Sequence, residues 1–230
     1  MGVIYVVRHG QAAFGTVHYD RLTEIGFTQA RLLGAYFGRR NIRFDAVLTG
    51  TLRRQTETAQ GILEGQPGFE AQPLRETLAG LDEYDPAEIL RAFTGVSPAA
   101  AAAAERRDPL VMREHFRLLR AALLAWAEDR TRPEGMPAWR MFQDGAVAAL
   151  TEARQRFPDG NMLIVSSGGP IAAIVAAVLN APPATAIELN LRIRNSSLSE
   201  FAATPRRHSL ISFNGLPHLD GKDESLTTYA

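Results

Sequence analysis

The start of the chain constrains its fold most. Five consecutive apolar residues with β propensity, Val3-Ile4-Tyr5-Val6-Val7, run directly into Arg8-His9-Gly10. A run without polar alternation reads as a strand buried on both faces, and such strands belong to parallel sheets covered by helices. Ala46-Val47-Leu48 and Met162-Leu163-Ile164-Val165 repeat the pattern. Between them, residues 28–40 place Ala30, Leu33, Tyr36 and Phe37 at helical spacing, and residues 53–63 read as a second helix. Residues 166–169 read as a tight turn and 170–179 as an apolar helix, with Pro170 suited to its first position. Residues 198–201 and 209–213 are weaker strand candidates. Strands alternating with helices predict an α/β fold: a three-layer sandwich, its mostly parallel central sheet flanked by helices.

The middle of the chain breaks this alternation. Residues 85–157 are rich in Ala, Arg, Leu and Glu, include an alanine run at 99–104, and show no strand pattern. They read as a helical insertion over one end of the sheet, within a single domain spanning 1–230. A chain of 230 residues buries about 70% of its extended surface, so the core needs no staples. Twenty-five basic and twenty-five acidic residues cancel, leaving no basic surplus for a nucleic-acid partner. With no cysteine, disulfides and thiol catalysis are excluded. No 18-residue apolar stretch predicts a membrane span. The first apolar run is short and precedes its arginine, the reverse of a signal peptide, so a cytoplasmic location is expected. A homodimer is an allowed partner, but no motif specifies one.

Chemistry concentrates at the predicted strand ends, where ligands bind in α/β sheets. Arg8 offers a planar fork for phosphate oxygens, and neutral His9 has a lone pair that can attack phosphorus. The alternative is a core histidine beside a salt-bridged arginine. Thr49-Gly50-Thr51-Leu52-Arg53-Arg54 follows the second strand as an anion-friendly turn, with Arg54 as a second guanidinium and Arg53 as its surface neighbour. Ser166-Ser167-Gly168-Gly169-Pro170 follows the third, where free amides at a helix start favour an anion, unless the turn is only structural.

Taken in order, these segments resemble the histidine phosphatase superfamily in its phosphoglycerate mutase-like branch. Arg8-His9-Gly10 resembles the family signature, and Leu22-Thr23-Glu24-Ile25-Gly26 with Gln29-Ala30 its next segment. Thr51-Leu52-Arg53-Arg54 with Thr58-Ala59 resembles the motif of the second arginine. Leu74-Arg75-Glu76, with Gly80 and Glu83 beyond, resembles the segment of the proton donor. Asn195-Ser196-Ser197 and residues 214–219 resemble the closing strands. The resemblance implies a phosphorylated small-molecule substrate and a two-step reaction without cofactor or metal. His9 takes the phosphoryl group, Arg8 and Arg54 neutralise its oxygens, and Glu76 protonates the leaving oxygen and then activates water.

Three departures qualify that expectation. The family's Ser-His-Gly-Gly turn carries a second histidine where this chain has Ser167, followed by Gly168. A serine hydroxyl is shorter and carries no charge, so either Ser167 and the following amides substitute, or the site binds a phospholigand and turns it over poorly or not at all. His18, near the first loop, is the best placed of the other histidines to compensate, the alternative being a surface role. His218 reads as structural, and His115 and His208 are further candidates. After His9, Gln11 leads into Ala12-Ala13-Phe14-Gly15 without the family's phosphate-touching amide. Gly80-Leu81-Asp82-Glu83-Tyr84 has Asp82 where a tryptophan is usual and lacks the mutase branch's aromatic continuation. Hydrolysis is therefore expected over mutase-type transfer. A serine hydrolase built on Ser167 is disfavoured because Gly-x-Ser-x-Gly is absent. Specificity is expected from the helical insertion, with Arg192 and Arg194 either reaching a second anion or solvated.

Overall fold

The computed structural model describes residues 2–13, 20–66, 73–95, 109–204 and 207–229. His18, Phe14 and the 99–104 alanine run lie outside the described residues.

The expected sandwich is present. Six strands form one sheet in the order β3-β2-β4-β1-β5-β6: β1 Val3–Arg8, β2 Ala46–Thr49, β3 Leu74–Thr77, β4 Met162–Ser166, β5 Leu198–Thr204 and β6 Arg207–Gly215. β1 to β4 run parallel, β5 pairs antiparallel with β1, and β6 pairs antiparallel with β5. Alternate residues of the central strands feed two cores. Tyr5, Val7, Val47, Leu163 and Val165 face helices α1 (Glu24–Arg39) and α2 (Arg53–Gly65). Ile4, Val6, Leu48, Met162 and Ile164 face the remaining helices.

Local rules explain where α1 and α2 sit. Thr23 caps α1 by accepting the Gly26 amide at 3.1 Å, and Glu24 and Arg39 complement the helix dipole at opposite ends. The two helices approach closely because Gly34 lacks a side chain: a Cβ there would lie 2.0 Å from the Ile62 carbonyl oxygen. One face of α2 buries Arg54, Gln55, Thr58, Ala59 and Ile62. Its apolar end completes a core, and its polar first turn reaches the strand ends.

Five features differ from the sequence reading. Helix α1 starts at Glu24 rather than at residue 28, because Thr23 caps it there. Helix α6 starts at Gly168, two residues early, so Pro170 lies inside its first turn (Gly168–Val178). Strand β3 was not expected, because its Leu-Arg-Glu-Thr sequence has no apolar run. It is a largely exposed edge strand held through β2. β5 and β6 extend beyond 198–201 and 209–213 because each pairs with the other along its length. Helix α7 (Pro183–Asn190) was also missed, and it packs back against α6.

The middle is helical, as expected: α3 Pro86–Thr94, α4 Pro109–Ala127 and α5 Trp139–Arg156, with no strand among the described residues there. Their core is aromatic. Trp126 contacts Tyr84, Phe142 and Trp139 at centroid distances of 5.9, 5.3 and 5.2 Å. Tyr84 also accepts a hydrogen bond from Asn190 on α7 at 2.7 Å. No helix among the described residues is long and apolar enough to cross a membrane.

Candidate active site

Parallel register fixes the frame of the site. Arg8 of β1 pairs with Ser166 of β4, and Thr49 of β2 pairs with Val165. His9 and Ser167 are therefore the first residues beyond neighbouring strand ends, with Gly50 beyond the next strand. His9 is buried, at 3% exposure. Its backbone N–H donates to Ser166 O at 2.9 Å, while its carbonyl accepts the Ser196 N–H at 3.1 Å.

The imidazole has a defined tautomer. Nδ1 lies 2.8 Å from Gly10 O, and Arg54 Nε approaches Nε2 at 3.2 Å. A carbonyl only accepts and a guanidinium only donates. Nδ1 therefore carries the proton, and Nε2 presents its lone pair. Burial first, then the guanidinium groups of Arg8 and Arg54, push the His9 pKa well below its ordinary 6.5. The ring stays neutral around neutral pH.

Both arginines are buried and anchored. Arg8 donates from its guanidinium to the Ile193 carbonyl. Arg54 uses a second nitrogen on Asp20, Nη1 to Oδ1 at 2.8 Å. The same Asp20 carboxylate accepts the backbone amides of Arg53 (2.8 Å) and Arg54 (3.4 Å), so it caps α2 as well. Arg53 turns outward to Glu57. The anion-friendly turn after β2 is thus already served by protein carboxylates, since Asp82 accepts both the amide and the hydroxyl of Thr51 at 2.6 Å.

The acid expected at Glu76 is not at this site. Glu76 lies on edge strand β3, and its carboxylate is engaged by Arg156 at the end of α5. Besides Asp20, Glu83 brings a carboxylate near the site. Both its oxygens lie 3.2 Å from the Gly169 amide in the first turn of α6. Burial raises its pKa, opposed by that amide and by the nearby charges of Arg54 and Arg8. A side chain on Gly169 would meet Glu83 Oε1 at 2.2 Å.

Ser167 is fully buried as the N-cap of α6, and its hydroxyl accepts from Gln55 Nε2 at 2.9 Å. Gly168 sits against Asn190, whose Oδ1 a Cβ there would meet at 2.4 Å. The Gln11 carboxamide oxygen accepts the Thr23 hydroxyl at 2.8 Å, and its backbone N–H donates to Gln29 Oε1 at 2.8 Å. His218 bonds Ser196 at 2.9 Å, consistent with the structural reading. His115 on α4 and His208 on β6 stack or pair elsewhere, with Phe116 and Thr151. Arg194 is tied to Asn214. Among the described residues no group of three or more acidic or histidine side chains could hold a metal ion. Sequence reasoning missed Asp20 and Gln55. The only signal was position, Asp20 before the Leu22-Thr23 cap and Gln55 beside Arg54.

Comparison with known proteins finds the same fold in several solved structures. A phosphoserine phosphatase from Entamoeba histolytica, solved with phosphoserine, superposes with TM-score 0.64 at 19% identity, covering 95% of this chain and all of that one. A mycobacterial glucosyl-3-phosphoglycerate phosphatase gives 0.63 at 22%, covering 94% and 99%. A phosphoglycerate mutase from Bacillus anthracis gives 0.64 at 19%, covering 95% of both chains. At these identities the likeness shows the fold. A curated relative, the mitochondrial serine/threonine-protein phosphatase Pgam5 of Caenorhabditis briggsae, is 42% identical over 69 residues, which is 28% of this chain and 23% of that protein. Residues 4–121 and 102–215 match the family model, and the chain belongs to the histidine phosphatase superfamily (branch 1).

Proposed function

We propose that this protein is a metal-independent phosphomonoester hydrolase that works through a phosphohistidine on His9. The observation carrying this reading is His9 Nε2 at a strand end: it carries no proton, and its lone pair accepts only the Arg54 Nε–H at 3.2 Å, a contact that gives way to a phosphoryl oxygen when substrate binds. In the first step Nε2 forms a bond to phosphorus while the bond from phosphorus to the leaving oxygen breaks. The two guanidinium groups neutralise charge on the phosphoryl oxygens. The leaving oxygen needs a proton, and Glu83 supplies it. Its raised pKa keeps it protonated at higher pH than an ordinary carboxyl. In the second step Glu83 takes a proton from water, the water oxygen bonds to phosphorus, and the nitrogen–phosphorus bond breaks. A phosphorylated small molecule is the substrate class, as it is for the E. histolytica and mycobacterial phosphatases of the same fold.

Rapid acid-free quench with a phosphomonoester labelled on phosphorus tests the scheme. Label should appear on a histidine of the wild type and be absent from His9→Ala, with hydrolysis lost in step. Equal hydrolysis by both variants would overturn it. A second reading follows from the neutral Ser167 in the turn: a site that binds phospholigands without turning them over. Phosphate or vanadate binding with no label on His9 would establish that instead.

A further inference from the structure

Ser167 stands where the family turn carries its second histidine, and its bonded neighbour is Gln55 on α2. Gln55 is fully buried. Its Nε2 lies 2.9 Å from the Leu81 carbonyl oxygen and 2.9 Å from Ser167 Oγ. A carbonyl oxygen can only accept, so the Gln55 atom facing it must be the amide nitrogen, and both its N–H groups are then committed. Ser167 Oγ is therefore an acceptor in this bond. Its single proton remains, and among the described residues nothing accepts it.

The surroundings fix this polarity. The Leu81 carbonyl also accepts the Ser166 hydroxyl at 2.7 Å, so one oxygen ties α2 to the turn between β4 and α6. Gln55 Oε1 is left buried and without a partner among the described residues. The amide is thus oriented to satisfy the two Nε2 bonds at the expense of its oxygen.

We infer that Gln55 is a positioning residue that orients Ser167 to donate its hydroxyl proton to a phosphoryl oxygen held at His9. The inference rests on the phosphoryl-transfer reading above. A hydroxyl can face an anion with either its proton or a lone pair. Engaging one of the two lone pairs on Gln55 leaves the proton and a single lone pair, and so tilts the hydroxyl toward the favourable choice before substrate arrives. Arg8 pairs with Ser166, so Ser167 and His9 leave adjacent parallel strands side by side. The resulting donor is neutral at every pH, unlike an imidazolium.

The test compares wild type, Gln55→Leu, Ser167→Ala and the double variant. It reads kcat and KM on p-nitrophenyl phosphate, affinity for orthovanadate, and melting temperature. Each single change should lower kcat about 10- to 100-fold and weaken vanadate in parallel, with KM within about threefold. The double variant should be no slower than Ser167→Ala, because residues acting as one unit are not additive. Losses that multiply in the double variant overturn the inference. If Gln55→Leu fails to fold, Gln55→Glu replaces it. An ionised carboxylate only accepts, so it draws the Ser167 proton and should reproduce the Ser167→Ala loss, whereas wild-type kcat overturns the inference. A wild type without His9-dependent turnover defeats the phosphatase reading. His9-dependent turnover unaffected by Ser167→Ala defeats only the role of Gln55.

Discussion

Arg54 points its Nε–H at Nε2 of His9 from 3.2 Å, so the ring nitrogen nearest the arginine is the one without a proton. Gly10 O takes the proton of the other nitrogen at 2.8 Å. The arginine thereby does two things to one imidazole: it selects the tautomer, and with Arg8 it helps keep the ring neutral. Asp20 holds another nitrogen of the guanidinium, Nη1, at 2.8 Å and so fixes the direction of the fork.

That geometry asks for a planar fork, not merely a charge. Arg54→Lys keeps the charge, but an ammonium on a flexible stem cannot serve Asp20 and the His9 side in fixed directions. We expect kcat to fall about 10²-fold, the scale of losing one aimed donor, with the melting temperature little changed. Steady-state kinetics on p-nitrophenyl phosphate checks this, and near-wild-type turnover would contradict it.

Glu76 and Glu83 make opposite predictions. Glu76 is spent on Arg156 in a partly exposed pair, worth at most about 1 kcal/mol. Glu76→Gln should leave kcat nearly intact. Glu83→Gln should cost about 10²- to 10⁴-fold on an alkyl phosphate, the usual span for general acid–base catalysis. The loss should be far smaller in the first step with p-nitrophenyl phosphate, whose leaving group needs no proton. The raised Glu83 pKa also means that activity declines on the alkaline side as the acid deprotonates. Glu83→Gln should abolish that limb. An unaltered alkaline limb, or a large loss in Glu76→Gln, would return the role to Glu76.

Gly169 is the contact on which Glu83 rests. Its missing side chain admits Glu83 Oε1 and the Tyr84 ring, which a Cβ would meet at 2.2 and 2.7 Å. Gly169→Ala should therefore displace the carboxylate from the α6 amide. The expected result is at least a tenfold fall in kcat, on the order of the loss of a partly misplaced general acid. The alkaline limb should also shift. A crystal structure of the variant with Glu83 unmoved would dispose of the argument.

The contrast between the two glutamates shows what the sequence could convey. Strand-end residues were legible, because a buried apolar run announces a parallel strand and its last residues mark the ligand end. Arg8, His9 and Ser167 were found that way, and register brings their backbones together, while Arg54 follows the end of β2 on α2 and reaches His9 through its side chain. Glu76 and Glu83 lie in one short segment without periodicity, and only the path of the chain past Leu81 decides which reaches the site. Gln55 was illegible for a related reason: on a helix, one position more or less turns a side chain from neighbour to participant. Edge strand β3 escaped because pairing with β2, not its own composition, makes it a strand.

His218 ties stability to pH. It is buried beneath the site, bonded to Ser196 at 2.9 Å, and burial lowers its pKa from 6.5 to about 4. In the unfolded chain the imidazole protonates below about pH 6.5, while in the folded chain it stays neutral until about pH 4. Between these values the unfolded chain binds more protons, so folding stability falls as pH falls. Above 6.5 this group contributes no slope. At full extent the penalty is about 3 kcal/mol, and His9, His115 and His208 shift in the same direction. His218→Gln removes the titration while keeping a polar partner for Ser196. Urea unfolding at pH 7.5 should find the variant less stable through lost packing. On descent to pH 4 the gap to wild type should move by about 3 kcal/mol in the variant's favour. A gap that stays constant across that range would show that His218 is not held neutral in the fold.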